Sequence, residues 1–321
     1  MYRYLILIFI LFSVKAYSQS AGYSQSVLNQ IYTNSAFSGS KDCPRVYLSF
    51  RSKYVSCNRL YENIYVSYDQ HLRFLKSDIS FYYQSDLQGT VFHNQDLGLN
   101  IAKGFKLTRK SILKLAAGIQ YLNFSLNTDN ISTPDMIDSY YGFVNKSLQH
   151  FPNVNQHNIS ASASVLFYTK TFFGGIHIKN IIEPKVETDN TAILRYRNYL
   201  IQSGYTIALN ATNDLDGLFY LQPNIFTEFN AVSGVMQYGI YFNKKLVLGG
   251  LWLKQNFSGE FESFVILVGF FQKKFKFAYS CDVSIANLSG KRFDIHEISL
   301  SYQLNCKERK KRYEAIKAPG F

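Results

Sequence analysis

Long apolar runs are missing from this chain. Residues 5–14 and 264–271 are the longest, and each is half or less of the ~20 residues that a spanning helix needs. Charge is scarce as well, at 17% Asp, Glu, Lys and Arg against the ~25% usual for soluble domains. Gly 19 and Pro 6 in 321 residues exclude a collagen-like or low-complexity chain, and four cysteines are too few for a disulfide scaffold. The six histidines are scattered, with no HExxH and no His/Cys pair at metal spacing; GxSxG, Walker A and GxGxxG are absent too. No catalytic residue, cofactor site or metal site is therefore assigned. What is abundant is Tyr (25) and Phe (27), giving 17% aromatics with mean hydropathy of −0.11. A soluble α/β enzyme normally has more charge and fewer aromatics, whereas a membrane β-barrel averages to this value because apolar-out and polar-in residues cancel.

The amino terminus sets a compartment. Arg3 precedes the apolar stretch 5–14, and Ala16-Tyr17-Ser18 follows as a small-x-small cleavage site, the pattern of a signal peptide over residues 1–18. No Cys stands at the junction, which argues against a lipoprotein anchor. The sequence thus predicts an exported protein with Gln19 first.

From Arg45 onward the pattern has period two, the mark of strands with unlike faces. Ser160, Ser162 and Ser164 alternate with Ile159, Ala161, Ala163 and Val165. Phe277, Tyr279, Cys281 and Val283 alternate with Ala278, Ser280, Asp282 and Ser284; Ile298, Leu300 and Tyr302 alternate with Glu297, Ser299 and Ser301. Reading for breaks gives strands at 45–52, 61–72, 77–86, 92–105, 112–126, 157–168, 171–181, 195–209, 218–229, 231–242, 246–256, 260–271, 275–286 and 293–305. The count is even, as bacterial single-chain barrels require, and many strands reach the ~9–11 residues that a tilted crossing needs. With the start of the barrel in the periplasm, even-to-odd connections should be short and odd-to-even ones long. The longest, 127–156 and 182–194, fall on the outer side; 210–217 is a longer periplasmic exception. The expected fold is all-β: a transmembrane antiparallel up-and-down β-barrel of about 14 strands in the outer membrane. It divides into a signal peptide (1–18), a periplasmic or lumen-occupying segment (19–44), the barrel (45–305) and a basic periplasmic tail (306–321). An exported soluble sandwich or propeller is the alternative, but its outward faces would carry more Lys and Glu.

Charge follows the same topology. Segments 73–76, 106–114, 169–171, 210–217, 243–245, 272–276 and 306–321 hold 18 of the 34 basic residues and only four of the 22 acidic ones. The tail is densest, with Lys307, Arg309, Lys310, Lys311, Arg312 and Lys317. Such a rim suits anionic lipid headgroups or an acidic periplasmic partner, whose opposite charge raises on-rate and fixes orientation. An exported barrel meets no nucleic acid there. Cys43 precedes the first strand and Cys306 follows the last, so a Cys43–Cys306 disulfide would staple the barrel seam in an oxidising compartment; two unconnected thiols is the other reading.

Two stretches carry a family resemblance. Tyr23-Ser24-Gln25 begins a run through Asn29, Tyr32-Thr33-Asn34-Ser35-Ala36 and Gly39-Ser40, followed by Phe50-Arg51-Ser52-Lys53-Tyr54 and Ser67-Tyr68-Asp69. At the other end stand His296-Glu297-Ile298-Ser299-Leu300-Ser301-Tyr302 and a basic tail closing in Ala318-Pro319-Gly320-Phe321. The chain resembles the PorP/SprF family, outer-membrane proteins of the Bacteroidetes type IX secretion system. Ser35 stands where that family commonly has Pro, Tyr54 where it has Trp and Ala318 where it has Cys. The resemblance implies a barrel serving secretion or surface attachment of specific exported proteins, gliding adhesins among them, and contact with a periplasmic peptidoglycan-binding protein of the machine. The expected role of Asn34, Arg51, Asp69, His296 and Glu297 is a polar network inside the lumen, with Arg51 paired to Asp69 or Glu297; direct contact with the client is the alternative role. A passive diffusion channel or a transporter of hydrophobic substrates is the competing function.

Overall fold

Alternating side chains decide this architecture, because they give each strand one face for lipid and one for the interior. The computed structural model describes residues 22–40, 43–53, 61–89, 91–128, 136–138, 140, 142–143, 153–188, 191–209, 219–244, 246–272, 274–285 and 293–305. The wall strands are β1 (Arg45–Lys53), β2 (Tyr61–Leu72), β3 (Ser77–Gln88), β4 (Phe92–Lys106), β5 (Ile112–Leu126), β6 (Val154–Tyr168) and β7 (Phe172–Lys179). They continue as β8 (Asn198–Tyr205), β9 (Phe219–Phe229), β10 (Gly234–Lys244), β11 (Val247–Asn256), β12 (Phe261–Gln272), β13 (Phe275–Ser284) and β14 (Phe293–Gln303). Each pairs antiparallel with its neighbour in sequence, and β1 pairs with β14 from Arg45↔Gln303 to Lys53↔Ile295. The result is a closed 14-strand β-barrel. Among the described residues no helix is long and apolar enough to cross a membrane.

The burial pattern is inverted relative to a soluble protein. Leu97, Leu99 and Ile101 on β4, Ile266, Val268 and Phe270 on β12, and Ile298 and Leu300 on β14 are exposed. Their neighbours Asn100, Val265, Leu267, Glu297 and Ser299 are buried. Exposed large apolar side chains in register over strand after strand would aggregate in water; they are at rest against acyl chains.

Several strand ends differ from the sequence reading, each for a local reason. Residues 231–233 form a turn instead of opening β10, because Asn230 Oδ1 accepts the backbone N–H groups of Val232 and Ser233, both at 2.8 Å. The expected strand 195–209 is split: β8 ends at Tyr205 and pairing with β9 resumes only at Ile207–Ala208. The break lies opposite Pro223, which has no N–H to give to the ladder, and the register on its two sides is the same. The two long connections also hold ladders, Ile137–Asp138 with Gly142–Phe143 and Lys185–Thr188 with Thr191–Leu194.

Inside the wall, the Tyr82 ring of β3 lies over Gly98 of β4, where any Cβ would overlap it, and stacks on Tyr65 at 5.8 Å. Gly98→Val should displace that ring and lower stability by ~1–3 kcal/mol, the range for overpacking a filled interior. The check is the temperature at which the compact band of the detergent-solubilised barrel converts to the unfolded band on gels. An unchanged transition would show that the Tyr82 stack is not under this constraint.

Candidate functional site

A 14-strand barrel lies between the side-chain-filled eight and the aqueous sixteen, so its own inward side chains leave space. Residues 22–40 occupy that space. They include a short helix α1 (Gln30–Thr33) and a 3-10 turn (Ser35–Phe37). Tyr23 to Phe37 are all buried. Their partners lie on opposite walls: Glu297 on β14, Asp282 on β13, Glu228 on β9, Ser164 on β6, Ser80 on β3 and Asp69 on β2. Only a segment inside the barrel can touch all of these.

The plug runs from the loop half of the lumen to the end with the short turns. At its top, Ser24 N donates to Glu297 Oε2 at 2.7 Å, and Gln25 Nε2 donates to the Glu297 carbonyl at 2.9 Å. Ser24 Oγ lies between Asp282 Oδ2 (2.8 Å) and Lys254 Nζ (2.7 Å). Lys254 also pairs directly with Asp282 at 2.6 Å, and the Arg51 guanidinium lies 3.9 Å from both Asp282 and Glu297. Two cations and two carboxylates thus share one buried cluster, completed by the plug's backbone and hydroxyl. At the bottom, Arg45 bridges Asp69 (2.9 Å) and Gln30 Oε1 (2.7 Å), while Lys114 pairs with Asp78 at 2.6 Å. Gly39 N donates to Asp69 at 2.9 Å; Gly39 sits at φ +59°, and the Asp78 side chain occupies the place of any Cβ there.

Between these ionic layers lies an aromatic core. Tyr65 of β2 meets plug residues Tyr23 and Tyr32 at 6.0 and 5.9 Å and wall residues Tyr47 and Tyr82 at 6.3 and 5.8 Å. Tyr23 and Tyr32 meet edge-on at 4.5 Å. Such pairs contribute ~0.5–1.5 kcal/mol each beyond burial, so the plug is held by packing as well as by polar bonds.

The structure distributes the sequence-derived residues unevenly. Asn34 is buried, its amide donating to the Val165 carbonyl at 3.0 Å and its Oδ1 accepting Ala36 N at 2.9 Å. Arg51 faces Glu297, whereas Asp69 pairs with Arg45 instead of Arg51. His296 is a correction. It shares the outward phase of β14 with Ile298 and bonds Tyr279 on the lipid-facing side at 2.8 Å, because adjacent residues in a strand point to opposite faces and Glu297 takes the inward position. Lys114, counted with the basic rim, also turns inward. Lys307, Arg309, Lys310, Lys311, Arg312 and Lys317 lie outside the described residues, as do residues 1–18. Cys43 is disulfide-bonded and Cys281 is free; Cys306 lies outside the described residues, and beside Cys43 the Pro44 carbonyl accepts Leu304 N at 2.9 Å. Sequence reasoning missed Arg45, Lys254 and Asp282. The signal was available: each is a charge in the inward phase of a strand, where it must find a partner. Among the described residues no group of three or more His, Cys, Asp or Glu could hold a metal.

An inverted, closed barrel with a polar, occupied lumen defines an integral outer-membrane β-barrel protein. Residues 15–302 match the profile of the type IX secretion system membrane protein PorP/SprF. The chain belongs to that family. Among curated proteins no relative matches it. Solved structures similar to it include a FadL homologue from Pseudomonas aeruginosa (9% identity, 90% of this chain and 99% of that one, TM-score 0.49). Another is Omp33 from Acinetobacter baumannii (8% identity, 82% and 100%, TM-score 0.43).

The Glu297 contact can be tested directly. Glu297→Leu removes the acceptor of Ser24 N and leaves Arg51 facing Asp282 and Lys254; breaking a buried pair this way costs ~3–5 kcal/mol. Amide hydrogen exchange should rise over residues 22–40 while the wall strands stay protected. Equal protection of the plug in variant and wild type would show that Glu297 does not hold it.

Proposed function

We propose that this protein is a non-enzymatic component of type IX secretion that holds specific exported proteins at the cell surface or supports their secretion, and that it docks periplasmic partners through its basic end. Membership of the family supplies the machine. The plug carries the rest: a lumen occupied from Ser24 to Gly39 by a buried, hydrogen-bonded segment suits a scaffold and not a passage. At the end with the short turns, Arg73, Lys76, Lys106, Arg109, Lys110 and Lys170 are exposed, and the six basic residues of the tail add to them in sequence. We assign that end to the periplasm, where it faces a peptidoglycan-binding partner of acidic surface; the large loops face the outside and the exported client. A Cys43–Cys306 bond across the β1–β14 seam belongs to the same reading, as a staple where the tail leaves the barrel.

The competing transporter of hydrophobic substrates has one observation in its favour. An apolar recess of about 660 Å³ lies in the wall near Pro223. Its lining includes Trp252, whose ring packs against buried Tyr241 at 5.0 Å inside the barrel, so a path through the wall would meet that aromatic pair.

The two readings separate in reconstituted membranes. The full chain in planar bilayers should show no steady conductance, and liposomes containing it should take up no fatty acid; steady current or uptake in the wild type would favour the transporter. Partner docking is read from a tagged pull-down in the native host under mild detergent. A periplasmic peptidoglycan-binding protein should co-purify, and the triple reversal K310E/K311E/R312E should cut its recovery severalfold. Undiminished recovery would remove the tail from the docking surface.

A further inference from the structure

Toward the loop end the described residues leave the lumen unfilled. A cavity of about 290 Å³ opens there, bounded below by Tyr32 of the plug and on its sides by the loop-half residues of β3 to β9. Its size is near the lower end of small-ligand pockets, ~300–1,000 Å³. Eight of its nineteen lining residues are Asn or Gln. These amides both donate and accept at short spacing.

Two cations, Lys179 and Arg195, face three carboxylates, Asp86, Asp96 and Glu228, in the cavity. Arg195 grips Asp96 through both terminal nitrogens, one of them at 2.9 Å. Lys179 rests on the Tyr32 ring, its ammonium 3.4 Å from the centroid, with Glu228 lining the same cavity. Glu228 Oε1 accepts Tyr32 Oη at 2.8 Å and Asn198 Nδ2 at 2.6 Å, while Glu228 Oε2 and Asn198 Oδ1 are buried without a partner. Buried polar atoms left in this state mark a place where a further donor is wanted. An anionic ligand would meet repulsion from three carboxylates, and a cationic one from Lys179 and Arg195. A ligand of hydroxyl groups would not, since each hydroxyl can give a bond to a carboxylate or amide oxygen and accept one from an ammonium or amide N–H. The rings of Tyr196 and Phe124 supply flat apolar faces for the C–H faces of a sugar ring. The cavity is closed below and the wall strands around it are paired with neighbours on both sides, so no strand edge is available for an added peptide strand. It is shaped for the end of a chain.

We propose that this vestibule binds a neutral sugar, the terminal one or two units of a glycan presented from outside the cell. The inference does not depend on the secretion reading. Two sources offer that chemistry, a surface polysaccharide and a glycan carried by an exported protein.

The test uses the full chain in detergent on an array of neutral oligosaccharides, acidic oligosaccharides and peptides. A subset of neutral oligosaccharides should be retained and displaced by the matching free sugar. Asn158→Leu and Asn198→Leu should each weaken binding about tenfold, the effect of one lost polar bond in a closed site. The compact gel band verifies that each variant is folded, and Leu99→Ala on the lipid face, folded by the same criterion, should bind as wild type does. Binding of acidic sugars alone, of peptides alone, or of nothing at millimolar ligand would overturn the proposal, as would full affinity in both Asn variants. Polysaccharide and exported-protein fractions from the native host then separate the sources: either one retained supports the site. Exported protein bound equally well after enzymatic deglycosylation would overturn it.

Discussion

The rest of this structure depends on one constraint: a wall with its apolar face turned to lipid must hide its polar face inside. Eight strands would fill that interior with their own side chains, but fourteen leave room. The wall therefore carries ionisable groups such as Glu297 and Asp282 at zero to 1% exposure, where each needs a partner or is strongly penalised. The wall cations Arg51 and Lys254 provide part of the answer. The plug provides the remainder through groups that cannot lose their hydrogen-bonding capacity: the N–H groups of Ser24, Gln25 and Gly39 and the hydroxyl of Ser24. Barrel and plug are in this sense one folding unit, since the wall's charges are unsatisfied without the segment and the segment has no core of its own without Tyr47, Tyr65 and Tyr82.

Period-two alternation made the wall legible. It depends only on which residues tolerate lipid, so all fourteen strands could be placed, including β8 across its break at Pro223. What alternation could not supply was the break itself, or the turn at 231–233, which a single Asn side chain decides. The candidate site was legible to a smaller degree. Glu297 and Arg51 were singled out by the stretches that carry the family resemblance, but grouping His296 with Glu297 overlooked that neighbours in a strand face opposite ways. Assigning Arg51 to Asp69 failed for a related reason, because which wall residues meet across a lumen depends on barrel shear and on what lies between them. The plug has no periodicity to read: residues 22–40 adopt turns and one short helix, and their order comes from the walls around them.

Burial geometry also explains why an exact sequence matters in a segment with so little regular structure. Gly39 tolerates no side chain, because Asp78 occupies the space and the backbone is left-handed. Asn34 uses both ends of its amide, one to cap the 3-10 turn and one to hold a wall carbonyl. Tyr32 serves both sides of the plug, with its edge against Tyr23 and Tyr65 and its hydroxyl on Glu228. A plug held only by hydrophobic burial could be replaced by any apolar segment; this one is specified atom by atom at its polar contacts.

The described parts of the stretches that carry the family resemblance are far apart in the chain, yet several of them meet in space. Ser24 and Gln25 meet Glu297 across 273 and 272 residues of sequence, and Ser299 donates to Gln25 Oε1. Arg51, from the stretch after the plug, faces Glu297, and Asp69 closes the bottom with Arg45 and the Gly39 amide. These stretches are therefore parts of a single contact, the interface between plug and wall at the β1–β14 closure. Among the described residues the plug is the one element that bonds both the upper and the lower ionic clusters of the wall, so the contacts that fix it also fix those two layers relative to each other.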